Sequence, residues 1–331
     1  MPSDKPHYYG GQALIEGVMM RGRETWAVAV RRPSKDIWVE THAVKSPAAR
    51  YAIFRKPLFR GVAAMAEALG IGFRAMMIAA NQSQEEEEKL TKKQMGFTIA
   101  FAVAAFIGIF IVLPRVIVWL LDKEQADSGL VTNLKDGAIR LAIFVGYLLA
   151  ISTMKEIRRV FQYHGAEHKT IAAYEANEPV LDQESVDKYS TIHVRCGTNF
   201  LIMVMLLTIV FYSLFGNPPL WLALIERILG LFVIAGIAYE GLRLGAAHLD
   251  NPFVRVLMTP GLWLQKITTK QPEPGMIEVA IRSFEAVLPE GERARVAPLP
   301  SPVVTGDSLN EPGDVVDPDA LPGGQAADDD R

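Results

Sequence analysis

The sequence predicts an α-helical polytopic membrane protein of about four transmembrane helices. A small β-rich N-terminal cytoplasmic module and an amphipathic helix precede the first span. Three observations carry this expectation. Half of the 331 residues are hydrophobic, and they gather into runs long enough to cross a bilayer. The first 45 residues instead form short apolar stretches separated by turn-forming residues. Lysine and arginine crowd the segments on one side of the apolar runs and are sparse on the other.

In the β-rich module, taken as residues 1–57, Ala13-Leu14-Ile15 and Val18-Met19-Met20 flank Glu16-Gly17. Residues 26–30 and 37–44 then read as two strands around Pro33-Ser34-Lys35-Asp36, a run that favours a turn. Tyr8-Tyr9 suits an anchor at a membrane interface, with apolar rings and polar tips. Residues 58–80 are apolar except for Arg60, Glu67 and Arg74, which recur every seven residues as a narrow polar stripe. A helix of that kind lies in the membrane interface or is buried by protein, and the interface is expected here. With the glutamate-rich run at 82–88 it forms an interfacial helix and charged linker over 58–95.

The four spans are expected at 96–121, 138–154, 199–215 and 220–242. Pro114-Arg115 suggests that the first crossing ends early, with 116–121 in the interface. Arg140 stands near one end of the second, where it can snorkel. Gly216-Asn217-Pro218-Pro219 makes a tight turn between the third and fourth. Domain organisation follows: transmembrane helices 1–2 at 96–154, a His-containing cytoplasmic loop and helix at 155–198, and transmembrane helices 3–4 at 199–248. A cytoplasmic C-terminal segment occupies 249–294, in which 277–288 has helical periodicity and can dock on the N-terminal module. A disordered acidic tail is expected over 295–331, rich in Pro, Gly and Asp from about Pro298.

Orientation comes from the positive residues. Lys155, Arg158, Arg159, Lys169, Lys188 and Arg195 fall between the second and third spans. Eight more lie between Arg50 and Lys93, whereas 122–137 holds Lys123 and Lys135 against four acids. Both termini and the 155–197 loop are therefore expected to be cytoplasmic in a multi-pass protein of the inner cell membrane. Residues 1–22 are polar and lack the apolar core of a cleavable signal peptide. The net charge of −3 conceals an asymmetry. From Arg295 onward eight acids face only Arg295 and Arg331, which leaves +3 on residues 1–294, as suits a body touching anionic headgroups. The single cysteine, Cys196, excludes an intramolecular disulfide.

The most informative stretch is His164-Gly165-Ala166-Glu167-His168. On a helix, His164 and His168 stand at i and i+4, a spacing that lets both imidazoles hold one cation. Glu167 beside them could act as a general base on water. Scarce polar residues from two other segments reach the same membrane face: His193, Arg195, Cys196, Thr198 and Asn199 before the third span, and Glu240, Arg243 and His248 after the fourth. A catalytic zinc-type site needs three protein ligands and an open position. Glu175 is seven residues beyond His168, about 10 Å along the axis, too far to share the ion. The third ligand is thus sought among His193, Cys196, Glu240 and His248. Glu240 is favoured because it sits on a rigid helix and is costly near hydrocarbon, with Arg243 as its competing partner. The pentapeptide also fits the H-x-x-E-H pattern of the inverzincin metallopeptidases, in which a downstream glutamate completes the site, although those enzymes are soluble proteins of a different build.

The run from Gly10 to Gly22 (GGQALIEGVMMRG), HGAEHK at 164–169 and RCGTNF at 195–200 resemble the YqhQ-like bacterial membrane proteins, the domain-of-unknown-function 1385 family. Pro260-Gly261-Leu262-Trp263-Leu264-Gln265 and Met276-Ile277-Glu278-Val279-Ala280 resemble its C-terminal signature, so the likeness spans about residues 8–288. The resemblance implies a multi-span membrane protein and a metal-dependent enzyme. It carries over His164, Glu167, His168, Lys169, His193, Arg195, Cys196, Glu240 and Arg243 as motif positions.

The functional expectation is a metal-dependent hydrolase at the cytoplasmic face. His164 and His168 would ligate a divalent metal with Glu240 or His193, and Glu167 would activate water. Arg195 or Arg243 would hold an anionic group of the substrate. Zinc is the default ion, with iron or manganese open. The rival expectation is a non-enzymatic scaffold or assembly factor that recruits a cytoplasmic protein partner. Membrane lipid is the other expected partner, and nucleic acid is not among them. A transporter is disfavoured, because the spans hold few mid-membrane polar residues and show no repeated halves or paired broken helices.

Overall fold

The first four elements arise from a sequence that keeps turning back on itself. In the computed structural model, which describes residues 9–46, 51–84, 92–121, 129–214, 220–248 and 250–306, β1 (Gly10–Leu14), β2 (Gly17–Arg21), β3 (Thr25–Arg31) and β4 (Ile37–Ala43) form an antiparallel meander. Glu16 adopts φ 51° in the first hairpin turn, and Lys35 adopts φ 74° in the Pro33–Asp36 turn. Gly17 has its close approach enforced by β3, since an added Cβ would lie 2.5 Å from the Ala29 carbonyl oxygen. A fifth strand, β5 (Val303–Thr305), pairs in parallel with β4.

The strands expected at 26–30 and 37–44 are therefore present, but 26–30 is buried throughout. Both faces of the sheet are covered, so its central strand reads as a continuous apolar run. Val18, Met20, Ala27 and Ala29 face one cluster, which includes Ile277, Ile281 and Phe284 of helix α10 (Pro274–Val287) and Tyr163 and Ala166 of α5 (Lys155–Glu175). Leu14, Met19, Trp26, Val28 and Val30 face the other, which includes Ile71, Ala75 and Ala79 of α1 (Phe59–Gln82). The helix expected at 277–288 thus docks on the N-terminal sheet.

Helix α1 differs from the interfacial expectation. It is long and apolar enough to cross a membrane, yet one face packs against the sheet. Its polar stripe has protein partners: Glu67 accepts from Arg21, and Arg60 pairs with Glu240 of helix α8 (Leu220–Ala247). At its start it meets α8 closely, since a Cβ on Gly236 would lie 2.9 Å from the Leu58 carbonyl oxygen. The polar stripe reflects these ion pairs, not a solvated face.

The other apolar runs are helical. Helix α2 (Lys92–Ile107) passes through one π-turn (Gly108–Val112) into α3 (Leu113–Leu121). The helix does not break at Pro114. The wider turn directly before Pro114 accommodates a residue that cannot donate to the preceding turn, so the apolar rod Gly96–Leu121 continues. Helix α4 (Gly129–Ile151) begins nine residues before the expected second span and meets α5 at a 99° bend. Arg140 pairs with Asp136 at 2.9 Å within α4. Helices α7 (Gly197–Ser213) and α8 correspond to the third and fourth apolar runs. The fold is thus mostly helical, with three helices among the described residues long and apolar enough to cross a membrane, or four if the bent pair counts as one, and a small N-terminal sheet.

The C-terminal expectation shifts as well. A further helix, α9 (Pro252–Thr268), is capped by the Asn251 side chain and carries Pro252 in its first turn. Residues 295–306, assigned to the disordered tail from sequence, are ordered. Buried Glu278 of α10 accepts from Arg31 Nη2 at 2.9 Å, Ser301 N at 2.7 Å and Ser301 Oγ at 2.8 Å, and so fixes β5 beside β4. The Gly216–Pro219 turn, Tyr8, glutamates 85–88 and the tail beyond 306 lie outside the described residues.

Candidate metal centre

The centre is built where α5, α7 and α9 meet. Helix α5 is wedged against the sheet and α10, which buries residues 165–171. Residues 188–196 then cross one side of α5 and end in Cys196, the N-cap of α7. The short helix α6 (Gln183–Asp187), closed by a capping box between Asp182 and Ser185, turns the chain into this crossing. Buried Lys169 ties α6 to α5 by donating to the Asp187 carbonyl at 2.6 Å.

Both histidines are oriented by backbone carbonyls. His164 Nδ1 lies 2.9 Å from the Thr268 carbonyl oxygen, and His168 Nδ1 lies 2.6 Å from that of Thr191. A carbonyl only accepts, so each Nδ1 donates its N–H, and in the neutral ring Nε2 keeps the lone pair. His164 Nε2 is 3.2 Å from Cys196 Sγ, and buried His168 Nε2 has no hydrogen-bond partner among the described residues. The ligand atoms of His164, His168 and Cys196 all lie within 4.8 Å of one another. A tetrahedral zinc ion with Zn–N of about 2.0 Å and Zn–S of about 2.3 Å needs donors some 3.5 Å apart, so this N₂S set fits one ion with little movement.

Electrostatics favours the ligand form of His168. Burial, followed by the neighbouring His164, holds His168 well below the ordinary histidine range, so it is neutral. Burial lowers His193 too. The Cys196 thiol is pushed up by burial, opposed by hydrogen bonds from the Thr198 hydroxyl and amide at the start of α7. A bound cation would reverse that balance.

Glu167 lies beside the triad. Its carboxyl is 4% exposed and is raised to about 8, chiefly by burial, with His164 pulling it down and Cys196 pushing it up. Its Oε2 has no hydrogen-bond partner among the described residues. Gly11 of β1 makes room for it, because a Cβ there would lie 2.8 Å from Glu167 Cδ. Glu167 is thus a buried carboxyl beside the triad without belonging to it.

The structure revises the expected ligand set. Glu240 is not in the cluster, because Arg60, arriving on α1, holds both of its oxygens. Arg60, and not Arg243, is the partner. Arg243 is exposed on α8, and His248 turns Nδ1 to the Leu244 carbonyl of its own helix. His193 stands in the next layer: its ring is 5.6 Å from that of His168, and its Nε2 faces Glu175 at 3.4 Å. Arg195 pairs with the same Glu175, so that carboxylate ties α5 to residues 193–195. Cys196, one of four third ligands weighed from sequence, takes the place expected for Glu240.

Sequence reasoning missed the supports. Gln265 of α9 exchanges two 2.8 Å hydrogen bonds with the His193 backbone and donates to Asn199 Oδ1 at 3.1 Å. Thr268 of the same helix supplies the carbonyl for His164. The signal was present in Asn251-Pro252, an N-cap followed by proline, which announces a helix start.

Comparison with known proteins gives a family without a described activity. The chain is 34% identical over 296 residues to "Uncharacterized protein YqhQ" of Bacillus subtilis (strain 168), an alignment covering 86% of this chain and 93% of that protein. No solved structure matches. The family model described as "Protein of unknown function (DUF1385)" matches residues 56–290, and the chain belongs to that family.

Proposed function

We propose that this protein is a membrane-embedded, metal-dependent hydrolase whose centre faces the cytoplasm. The observation that carries the reading is the convergence of His164 Nε2, His168 Nε2 and Cys196 Sγ, with both Nδ1 atoms committed to carbonyls, beside Glu167 Oε2, which has no hydrogen-bond partner among the described residues. The thiolate–imidazole set favours zinc over manganese, which prefers oxygen donors, and leaves iron as the second choice. The ion would supply Lewis acidity at its open position. Glu167, buried and raised to about 8, suits proton transfer to and from the attacking water and the leaving group. With Arg195 committed to Glu175 and Arg243 exposed, neither makes an obvious clamp for an anionic substrate group; Arg195 remains the nearer of the two in sequence to the triad.

Membrane insertion with cytoplasmic termini is supported by the lysine and arginine pattern and by large exposed apolar side chains. Phe97, Phe101 and Trp119 on the 96–121 rod and Leu229 on α8 are unsuited to water.

The second reading is a scaffold in which a metal or a hydrogen-bonded joint ties α5, α7 and α9 together. The depth of burial of His168 and Cys196 favours it. Glu167→Gln separates the two. In a screen of ester, amide and phosphodiester amphiphiles in mixed micelles, the hydrolase reading requires metal-dependent turnover. It expects that turnover to fall about 10²–10⁴-fold in Glu167→Gln at unchanged metal content. Equal turnover in the variant would remove Glu167 from the chemistry, and no turnover with any class would favour the scaffold.

A further inference from the structure

Helix α9 presents three faces. Met258, Gly261, Leu264, Gln265 and Thr268 are buried in protein, and this face supports the metal centre. Arg255 and Lys266 occupy a second, exposed face. The third carries Phe253, Val256, Leu257 and Trp263, exposed by 75%, 70%, 55% and 64%, with exposed Pro260 among them. Their spacing places them on one side of a helix, and so large an apolar stripe in water would be costly.

The surroundings indicate what covers it. Helix α9 starts five residues after Ala247, the end of α8, whose stretch Leu229–Ala246 is long and apolar enough to cross a membrane. The exposed stripe therefore begins where an apolar helix would leave the bilayer. Residues 252–270 contain Arg255, Lys266 and Lys270 and no acidic residue, a charge pattern suited to anionic headgroups. The aromatic Trp263 borders the apolar stripe on the side of the cations, as in interfacial helices.

We propose that α9 is an interfacial helix whose Phe253–Trp263 stripe lies in the headgroup–acyl boundary of an anionic phospholipid bilayer while its buried face walls the metal centre. This rests on the membrane reading above. Because Gln265 and the Thr268 carbonyl belong to the same helix, the centre stands about one helix diameter, roughly 10 Å, from the lipid. A substrate would then reach it along the membrane surface.

The test uses the full chain in vesicles of mixed zwitterionic and anionic phospholipid, brominated either near the headgroup end or near the middle of the acyl chains. Trp263→Phe and Trp119→Phe difference emission isolates the tryptophan of α9 and that of the apolar rod. The proposal expects the Trp263 component to lose about half its emission to shallow bromine and less to mid-chain bromine, with Trp119 also quenched. A quenched Trp119 with an unquenched Trp263 overturns it while sparing the membrane reading, and assigns the stripe to a second copy or another protein. Strongest quenching of Trp263 by mid-chain bromine overturns it too, because the helix would cross instead of lying flat. Quenching of neither tryptophan sinks the membrane reading, and the interfacial helix with it.

Discussion

Replacing Gly165 by alanine should damage both the stability of the protein and the metal centre, although alanine is the better helix former. An added Cβ would lie 2.1 Å from the Lys270 carbonyl oxygen and 3.2 Å from Thr191 Cγ2, where contacts of 3.0–3.4 Å are already tight. The Lys270 amide is itself bonded to the Phe161 carbonyl at 2.8 Å, so the obstructing atom belongs to a backbone pinned to α5. About 1 Å of separation is needed, and no side-chain rotation can supply it. Overpacking costs about 1–3 kcal/mol, and the rigid backbone argues for the upper end. The helix-propensity gain of about 1 kcal/mol offsets part of this, leaving a loss of about 2 kcal/mol. The displaced segments carry the Thr268 and Thr191 carbonyls that orient His164 and His168. Metal affinity should therefore fall by about 10–100-fold, as when outer partners of metal ligands are lost. Thermal unfolding in detergent and competition against a chelating dye measure the two effects. A Gly165→Ala protein that melts at or above the wild-type temperature and keeps its affinity would refute the packing argument.

Three further outcomes follow from the same geometry. Cobalt-loaded wild type should show a thiolate-to-metal absorption band that Cys196→Ser lacks; a band that survives the substitution would remove Cys196 from the ligand set. Glu240→Gln should keep its full metal content, because that carboxylate belongs to Arg60, and metal loss would restore it as a ligand. Glu278→Ala leaves Arg31 and the Ser301 amide without their acceptor. It should destabilise the docked C-terminal segment by about 3 kcal/mol, read as faster proteolysis between 288 and 306, and an unchanged cleavage rate would count against the lock.

The meander, the apolar helices and the helical period of α10 were legible in the sequence because each depends on short-range signals. Turn residues at 33–36, apolar length and helical period all act within a few residues of one another. The histidine pair was legible for the same reason, since i and i+4 on one helix is a local relation. The rest depended on partners far along the chain. Arg60 on α1 claims Glu240, 180 residues later, and no local pattern of Glu240 and Arg243 reveals that. Cys196 was one of four candidate third ligands, and only the crossing of 188–196 over α5 brings its sulfur to His164. The stripe of Arg60 and Glu67 suggested an interfacial helix because both ion partners, Glu240 and Arg21, come from other elements.

The central claim is that His164, His168 and Cys196 hold one transition-metal ion. Elemental mass spectrometry of detergent-purified wild type and of His164→Ala/His168→Ala tests it most directly. The account predicts near one equivalent in the wild type, zinc first, and none in a double variant that still elutes as a folded species. Absence of metal from both proteins, even after anaerobic purification and reconstitution with zinc or iron, would contradict it and make the cluster a hydrogen-bonded joint between helices.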